Sequence, residues 1–246
     1  TKYTGKPEEV APSKEDVKYI IEATNDMFPS VEINESDIVS SWAGIRPLIS
    51  EEGKSASEIS RKDEIFISKN KMISMAGGKL TGYRQMAKKA VMEVIEMKRA
   101  KTGIKKKLKC KTRKIPLPGN EFKNYKAVKK YKENLEVSHS SIEPSTISYL
   151  VDLYGTQTQI ILDKKNVENT IIEDEIKFSL ENEMTMTLLD FYERRTGRLF
   201  FDIQSIESTK TIAAELFSNY LNWTQVRKNS ELKKLDEAIK NATHFE

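Results

Sequence analysis

Gly77 and Gly78 constrain this chain more than any other feature. The short run Met72–Ala76 ends at the two glycines, and beyond them Leu80, Tyr83, Ala87, Ala90, Val91 and Val94 recur on one helical face to about Arg99. A strand that feeds a helix through Gly-Gly leaves the first N–H groups and the positive end of the helix dipole at the turn, which favours an anion. Lys79 stands at that point. The run Asp63–Ser68 is separated from Met72–Ala76 by the turn-like Lys69-Asn70-Lys71, so the two read as a hairpin. Ile38–Ile49 mixes Val, Trp and Ile with small residues and predicts a third strand.

Around this unit the organisation is mostly helical. Residues 1–12 hold Pro7 and Pro12 without periodicity, and Ser13-Lys-Glu-Asp16 has capping-box spacing ahead of a helix over 14–28, closed before Pro29. Between Lys98 and Lys114 there are ten Lys/Arg and no acidic residue, followed by Pro116, Pro118 and Gly119. A domain boundary is expected there, giving 1–100 and 101–246. Spaced apolar positions predict helices at 120–136, 144–155, 167–182, 187–195, 209–222 and 224–240, with Ser208 and Thr224 as caps. The fold class expected is α+β: short antiparallel strands with one strand-to-helix turn, then an all-helical domain.

Several function classes are unsupported. No apolar run approaches the roughly 20 residues of a membrane span, and the first residues carry no signal-peptide pattern, so a soluble or surface-bound chain in a reducing compartment is expected. Cys110, His139 and His244 form no zinc-ligand set, and no metal is expected. The ten glycines build neither a Gly-x-Gly-x-x-Gly turn nor a Walker A loop, and there is no Gly-x-Ser-x-Gly elbow. With 41 Lys+Arg against 37 Asp+Glu, net charge does not by itself imply nucleic acid. The lysine-rich run reads as a solvated linker or helix end, or as a contact for an anionic membrane; it holds no aromatic residue to stack on bases. Phe191-Tyr192, Phe200-Phe201 and Trp223 read as packing. Arg46 in Trp42-Ala-Gly-Ile-Arg-Pro-Leu48, Arg61 in Ile59-Ser-Arg-Lys-Asp63, and Lys79 either share one anion site or pair separately for structure; spacing leaves both open.

Motifs spread along the chain carry a resemblance. Asp37-Ile-Val-Ser-Ser-Trp-Ala-Gly-Ile-Arg-Pro-Leu-Ile49, Ser57-Glu-Ile-Ser-Arg-Lys-Asp-Glu64 and Ala76-Gly-Gly-Lys-Leu-Thr-Gly-Tyr-Arg84 closely resemble the FAD-dependent glycerol-3-phosphate dehydrogenases and the related glycerophosphate oxidases. Cys110-Lys-Thr-Arg-Lys-Ile-Pro-Leu-Pro-Gly119 resembles the start of that family's C-terminal domain, and Glu183–Gly197 its helical signature. Leu188 stands where the signature often has proline, which leaves the start of the 187–195 helix open.

The resemblance implies that 1–100 is the C-terminal part of an FAD- and substrate-binding domain, including its closing strand and helix. Residues 101–246 would then be the family's helical C-terminal domain. It implies oxidation of sn-glycerol 3-phosphate to dihydroxyacetone phosphate by hydride transfer to FAD, with electrons passing to quinone or oxygen. Arg46 and Arg61 match substrate-binding positions, where a guanidinium fork suits a phosphate. Lys79 matches a catalytic lysine near flavin and substrate, and Gly77, Gly78, Lys79, Leu80 and Thr81 match the turn against the flavin. The FAD pyrophosphate fingerprint and the family's general base lie in an N-terminal portion absent here, so the chain is expected neither to hold FAD tightly nor to turn over alone. Arg194 and Arg195 fit an active-site role or, preferably, structural pairing. A cytoplasmic location, peripheral on the membrane face, follows for the dehydrogenases. Homo-oligomerisation stays open, and a basic helical module on anionic membrane or nucleic acid is the alternative of a different class.

Overall fold

The computed structural model describes residues 3, 5–7, 10–45, 49, 63–103, 109–163 and 170–245. In chain order they form α1 (Lys14–Met27), the strands β1 (Asp63–Ile67) and β2 (Ile73–Gly77), α2 (Tyr83–Thr102), α3 (Tyr125–Ser138) and α4 (Pro144–Tyr154). These are followed by α5 (Thr158–Asp163), α6 (Ile171–Asn182), a π-helical turn at Asp190–Arg195, α7 (Arg198–Phe201), α8 (Gln204–Leu221) and α9 (Gln225–Thr243). The architecture is α+β, mostly helical with one antiparallel strand pair. Two compact units result, Thr1–Glu8 with Ile45–Pro116 and Glu9–Gly44 with Leu117–Glu246. Residues 9–44 cluster with the helical unit and 101–116 with the first.

In the first unit β1 and β2 pair in the register Asp63↔Gly77 to Ile67↔Ile73. The hairpin closes through Lys71, which takes a left-handed φ of 69°, with Ser68 N–H donating to Met72 O at 3.0 Å. α2 ends at Gly103, also left-handed, whose N–H donates to Arg99 O at 2.8 Å, with Arg99 and Lys101 suited to the negative end of the dipole. None of this unit's described residues is buried, and Leu80, Tyr83, Val91 and Val94 are all exposed. A strand pair and one helix cannot enclose a core alone.

The helical unit has one. Ser13 Oγ accepts from Asp16 N–H and Asp16 Oδ2 accepts from Ser13 N–H, both at 3.2 Å, completing the capping box of α1. α6 separates two apolar clusters. Its Ile176 and Leu180, one turn apart, join Leu188, Phe191, Tyr192, Ile206 and Phe217; Phe178, on the other side, joins Ile147, Leu150, Tyr154 and Ile161. Gly119 and Gly155 allow the loop after Pro118 to touch the end of α4. A Cβ on Gly155 would lie 1.8 Å from Gly119 O, the atom that accepts from Thr156 N–H at 2.9 Å.

Some sequence expectations are corrected. No strand forms over the described residues 38–45, because the N–H of Ser41 and the hydroxyl of Ser40 bond to helix ends instead of a sheet partner. Thr224 does cap α9, its Oγ1 accepting from Arg227 N–H at 3.2 Å, but Ser208 lies inside α8 and bonds back to Ser205 O. The 187–195 segment is largely π-helical: Thr187 Oγ1 accepts from Asp190 N–H and Thr196 N–H reaches back to Phe191 O. Leu188, in place of proline, is fully buried there. Phe201 is 78% exposed, so only Phe200 of that pair is packing.

Among the polar groups buried in this unit, one carboxylate is answered from three sides. Glu175 on α6 has no solvent exposure; its Oε1 accepts from Tyr149 at 2.7 Å and Tyr154 at 2.9 Å, and its Oε2 from Arg198 Nη2 at 2.8 Å. Burial, and next the Glu175 carboxylate, push both phenols up, so they stay protonated as donors. Burial alone would lower the Arg198 pKa, but Glu175 and Tyr149 outweigh it and raise it. Arg198→Ala, which strips the guanidinium from a buried carboxylate, is expected to lower the unfolding free energy by about 3–5 kcal/mol. Lys233→Ala, which breaks an exposed pair with Glu237, should cost under about 1 kcal/mol. Urea denaturation of the chain compares them, and equally small effects contradict the role given to Arg198.

Candidate functional site

The turn after β2 is built by backbone requirements. Gly77 and Gly78 take φ of 70° and 82°, in the left-handed region that side chains rarely adopt. A Cβ on Gly78 would also meet Met86 Sδ at 2.7 Å and Asp63 Cβ at 3.2 Å; the methionine tip can move, whereas the Asp63 Cβ is held by the hairpin. Lys79 then returns to extended backbone and caps a 3-10 turn at Leu80–Gly82, its carbonyl accepting from Gly82 N–H at 2.8 Å. Gly82 in turn is the N-cap of α2.

This helix start has no side-chain caps. Neither Lys79 nor Gly82 offers a capping hydrogen bond, and neither first turn contains an acidic residue. Donors of the first turn and the positive dipole end therefore meet no protein carboxylate. Lys79, Leu80 and Thr81 are exposed, Leu80 at 90%. Asp63, whose Cβ lies beside Gly78, is engaged by Lys89, whose hydrogen bond holds its carboxyl below the usual range. The turn thus presents a cation, uncapped N–H donors and a bare apolar side chain together. That set fits the electron-rich pyrimidine edge of a flavin, which needs donors to its oxygens and an apolar contact for its ring.

The structure brings Gly77, Gly78, Lys79, Leu80 and Thr81 into one turn. Arg46, Arg61 and Lys105–Lys107 lie outside the described residues. The Asp63–Lys89 pair and Met86 beside Gly78 were missed by sequence reasoning; residues 26 positions apart leave no local signal. Arg194 pairs with Asp190 at 3.1 Å and Glu193 at 3.5 Å, and Arg195 clamps Glu183 O through Nε at 3.0 Å and Nη2 at 2.8 Å. Arg194 thus pairs with acids of its own turn and Arg195 with a backbone carbonyl, rather than with acids of another domain. Burial alone would raise Asp190, but the N–H groups of Met186 and Thr187 outweigh it and hold its carboxyl low. Among the described residues no cluster of three or more His, Cys, Asp or Glu could hold a metal, and no helix is long and apolar enough to cross a membrane.

Residues 110–228 match the family of C-terminal domains of alpha-glycerophosphate oxidase. The chain is 37% identical over 240 residues to the aerobic glycerol-3-phosphate dehydrogenase of Bacillus subtilis (93% of this chain, 43% of that protein). It is 36% identical over 243 residues to that of Staphylococcus haemolyticus (94% and 43%). The X-ray structure of the glycerol-3-phosphate dehydrogenase from Bacillus halodurans complexed with FAD superposes with a TM-score of 0.82 at 30% identity, over 98% of this chain and 48% of that one. Residues 110–228 carry the C-terminal domain of the alpha-glycerophosphate oxidase family, and nearly the whole chain is similar to part of the aerobic glycerol-3-phosphate dehydrogenases. The chain spans 43% of the length of these curated relatives, and the similar structure was determined with FAD.

For this turn, Gly78→Ala is expected to lower the opening free energy of the β2–α2 connection by about 1–3 kcal/mol, the scale of a residue held in a disfavoured φ/ψ region. Amide hydrogen exchange over 73–90 reads the effect, and unchanged protection contradicts it.

Proposed function

We propose that the protein containing this chain oxidises sn-glycerol 3-phosphate to dihydroxyacetone phosphate with FAD, electrons passing on to quinone or oxygen. The observation that carries this reading is the uncapped, acid-free turn Gly77–Thr81 with Lys79 on it, in a chain with these relatives. When bound, FAD supplies a hydride acceptor at N5 and takes up negative charge around N1 and O2.

The chain's own residues act on either side of that transfer. Gly77, Gly78, Leu80 and Thr81 hold the flavin edge, with the helix start directed at the place where negative charge develops. The Lys79 ammonium stabilises that charge as it forms. Arg46 and Arg61 bind the substrate phosphate through guanidinium forks, which orients C2. The hydride leaves C2 with its electron pair while the hydroxyl proton goes to a base outside this chain. Residues 1–100 then serve as the substrate and flavin wall, and 101–246 as the helical domain.

In the full-length protein, Lys79→Ala is expected to lower kcat/KM about 100-fold or more. Arg46→Ala should raise KM about 10- to 100-fold, the scale of a charge-assisted hydrogen bond. Steady-state dye reduction with glycerol 3-phosphate measures both; wild-type constants in either variant contradict the assigned role.

A peripheral membrane contact is favoured by one further observation. Lys98, Lys101, Lys109, Lys111, Arg113 and Lys114 are all exposed, no acid lies among them in the sequence, and Ile115 beside them is 64% exposed. Near an anionic surface each such cation contributes about 1 kcal/mol. Changing Lys98, Lys101, Lys109 and Lys111 to Gln should weaken binding to phosphatidylserine vesicles at least about tenfold, with added salt weakening the wild type similarly. Sedimentation that responds to neither change removes this contact.

A further inference from the structure

We propose that the helical unit binds a small organic cation, a guanidinium on a short alkyl stem, in a cavity walled by Glu183, Phe122 and Tyr125. Nothing in this site depends on the chemistry proposed for Gly77–Thr81.

The cavity, about 470 Å³, opens between the loop after Pro118, the start of α3 and the C-terminal turn of α4. Its walls are held by bonds that converge on one threonine. Gly119 O accepts from Thr156 N–H at 2.9 Å, Glu121 accepts from the Thr156 hydroxyl, and Tyr131 donates to Thr156 O at 3.2 Å. The rings of Phe122 and Tyr131 lie 5.3 Å apart, which fixes Phe122 in the wall. A preformed cavity of this size is in the range of small-molecule sites.

The charge of the cavity has one sign. Asp152 and Glu183 line it, no lysine or arginine does, and the last turn of α4 adds the negative end of a helix dipole. Asp152 has a cation of its own, because Lys132 bonds it at 2.7 Å and Ser148 at 2.8 Å. Glu183 has none. Its Oε2 is buried and meets no hydrogen-bond donor among the described residues, while Arg195 directs Nε and Nη2 to the Glu183 carbonyl instead. Burial is the largest influence on this carboxyl and raises its pKa, with the Ser179 hydroxyl and the Arg195 charge opposing it.

A carboxylate withdrawn from water without a donor destabilises the fold, and a cation bound beside it removes that penalty. The aromatic walls select the kind of cation. A planar guanidinium is weakly hydrated and stacks on ring faces, whereas a compact ammonium keeps its water. Val128, Val151 and Leu153 complete the lining and suit an alkyl stem. Tyr125 is 81% exposed, so core packing does not account for a ring at this place.

Isothermal titration with butylguanidinium, beside its neutral isostere butylurea, tests the site in this chain and in the full-length protein. Saturable binding at a Kd of about 1 mM or below is expected in both, and at least about tenfold weaker binding of butylurea. Glu183→Gln should weaken butylguanidinium about tenfold or more, and Tyr125→Ala about threefold. Glu133→Gln, at an exposed acid outside the cavity, should leave the affinity within about 1.5-fold of wild type, the scale of a surface charge. No saturation, equal binding of butylurea, or unchanged affinity in Glu183→Gln overturns the site. Binding by this chain but not by the full-length protein also overturns it, because the cavity is then closed in the intact molecule. If Glu183→Gln fails to accumulate, Tyr125→Ala at its exposed position decides: weakened binding supports the site, and unchanged binding overturns it.

Discussion

A carboxylate buried without exposure sits in the middle of α6 and must be answered from several elements at once. Glu175 accepts from Tyr149 and Tyr154 on α4 and from Arg198 at the start of α7. Left unanswered, such a charge would cost several kcal/mol, so the three partners hold α4, α6 and α7 in one relation. Arg198 also reaches Asp202 and Ser205, which ties the beginning of α8 to the same point. The apolar clusters on either side of α6 supply the bulk of the stabilisation, but they are non-directional. The ion pair with its two phenols is directional and sets where the four-residue α7 lies. On that short helix Ser40 bonds to Phe200 O, and the ring of Trp42 lies against Phe200 and Phe201.

The candidate site depends on a different constraint, the left-handed pair Gly77-Gly78. It turns the chain from β2 toward α2 within two residues and leaves a helix start with neither capping side chain nor acid. Lys79 adds a cation to donors already present. Positive charge, oriented N–H groups and an exposed leucine together suit the edge of a flavin better than a free phosphate, which would have no use for the apolar side chain. The unit carrying this turn has no buried residue among those described, in keeping with a chain that spans 43% of its curated relatives.

Local features were legible from the sequence because their partners are close along it. The Ser13–Asp16 box, the Lys69-Asn70-Lys71 hairpin turn, the Gly-Gly break and Thr224 as a cap each act within a few residues, and the structure places them as expected. The third strand does not form over the described residues 38–45, where Val, Trp and Ile mixed with small residues read as strand, whereas Ser40 and Ser41 bond to carbonyls 160 and 201 positions away. The Glu175 network was equally hidden, since nothing local tells a buried glutamate from a solvated one. Lys79 could be singled out because the glycines before it reveal the turn; Arg46 carried only the weaker signal of a cation among apolar neighbours, and Arg61 only its place ahead of the hairpin. The π-helical turn at Asp190–Arg195 has the same apolar spacing as an α-helix over so short a stretch, so periodicity does not separate them.

The central claim is that the turn at Gly77–Thr81 belongs to a flavin site that oxidises a phosphorylated polyol. Anaerobic mixing of the full-length protein with glycerol 3-phosphate, followed by flavin absorbance in stopped flow, tests it most directly. Rapid bleaching by glycerol 3-phosphate and none by glycerol, which lacks the phosphate for Arg46 and Arg61, is the predicted result. A full-length protein that holds no flavin, or whose flavin is bleached equally by both polyols, would contradict the account.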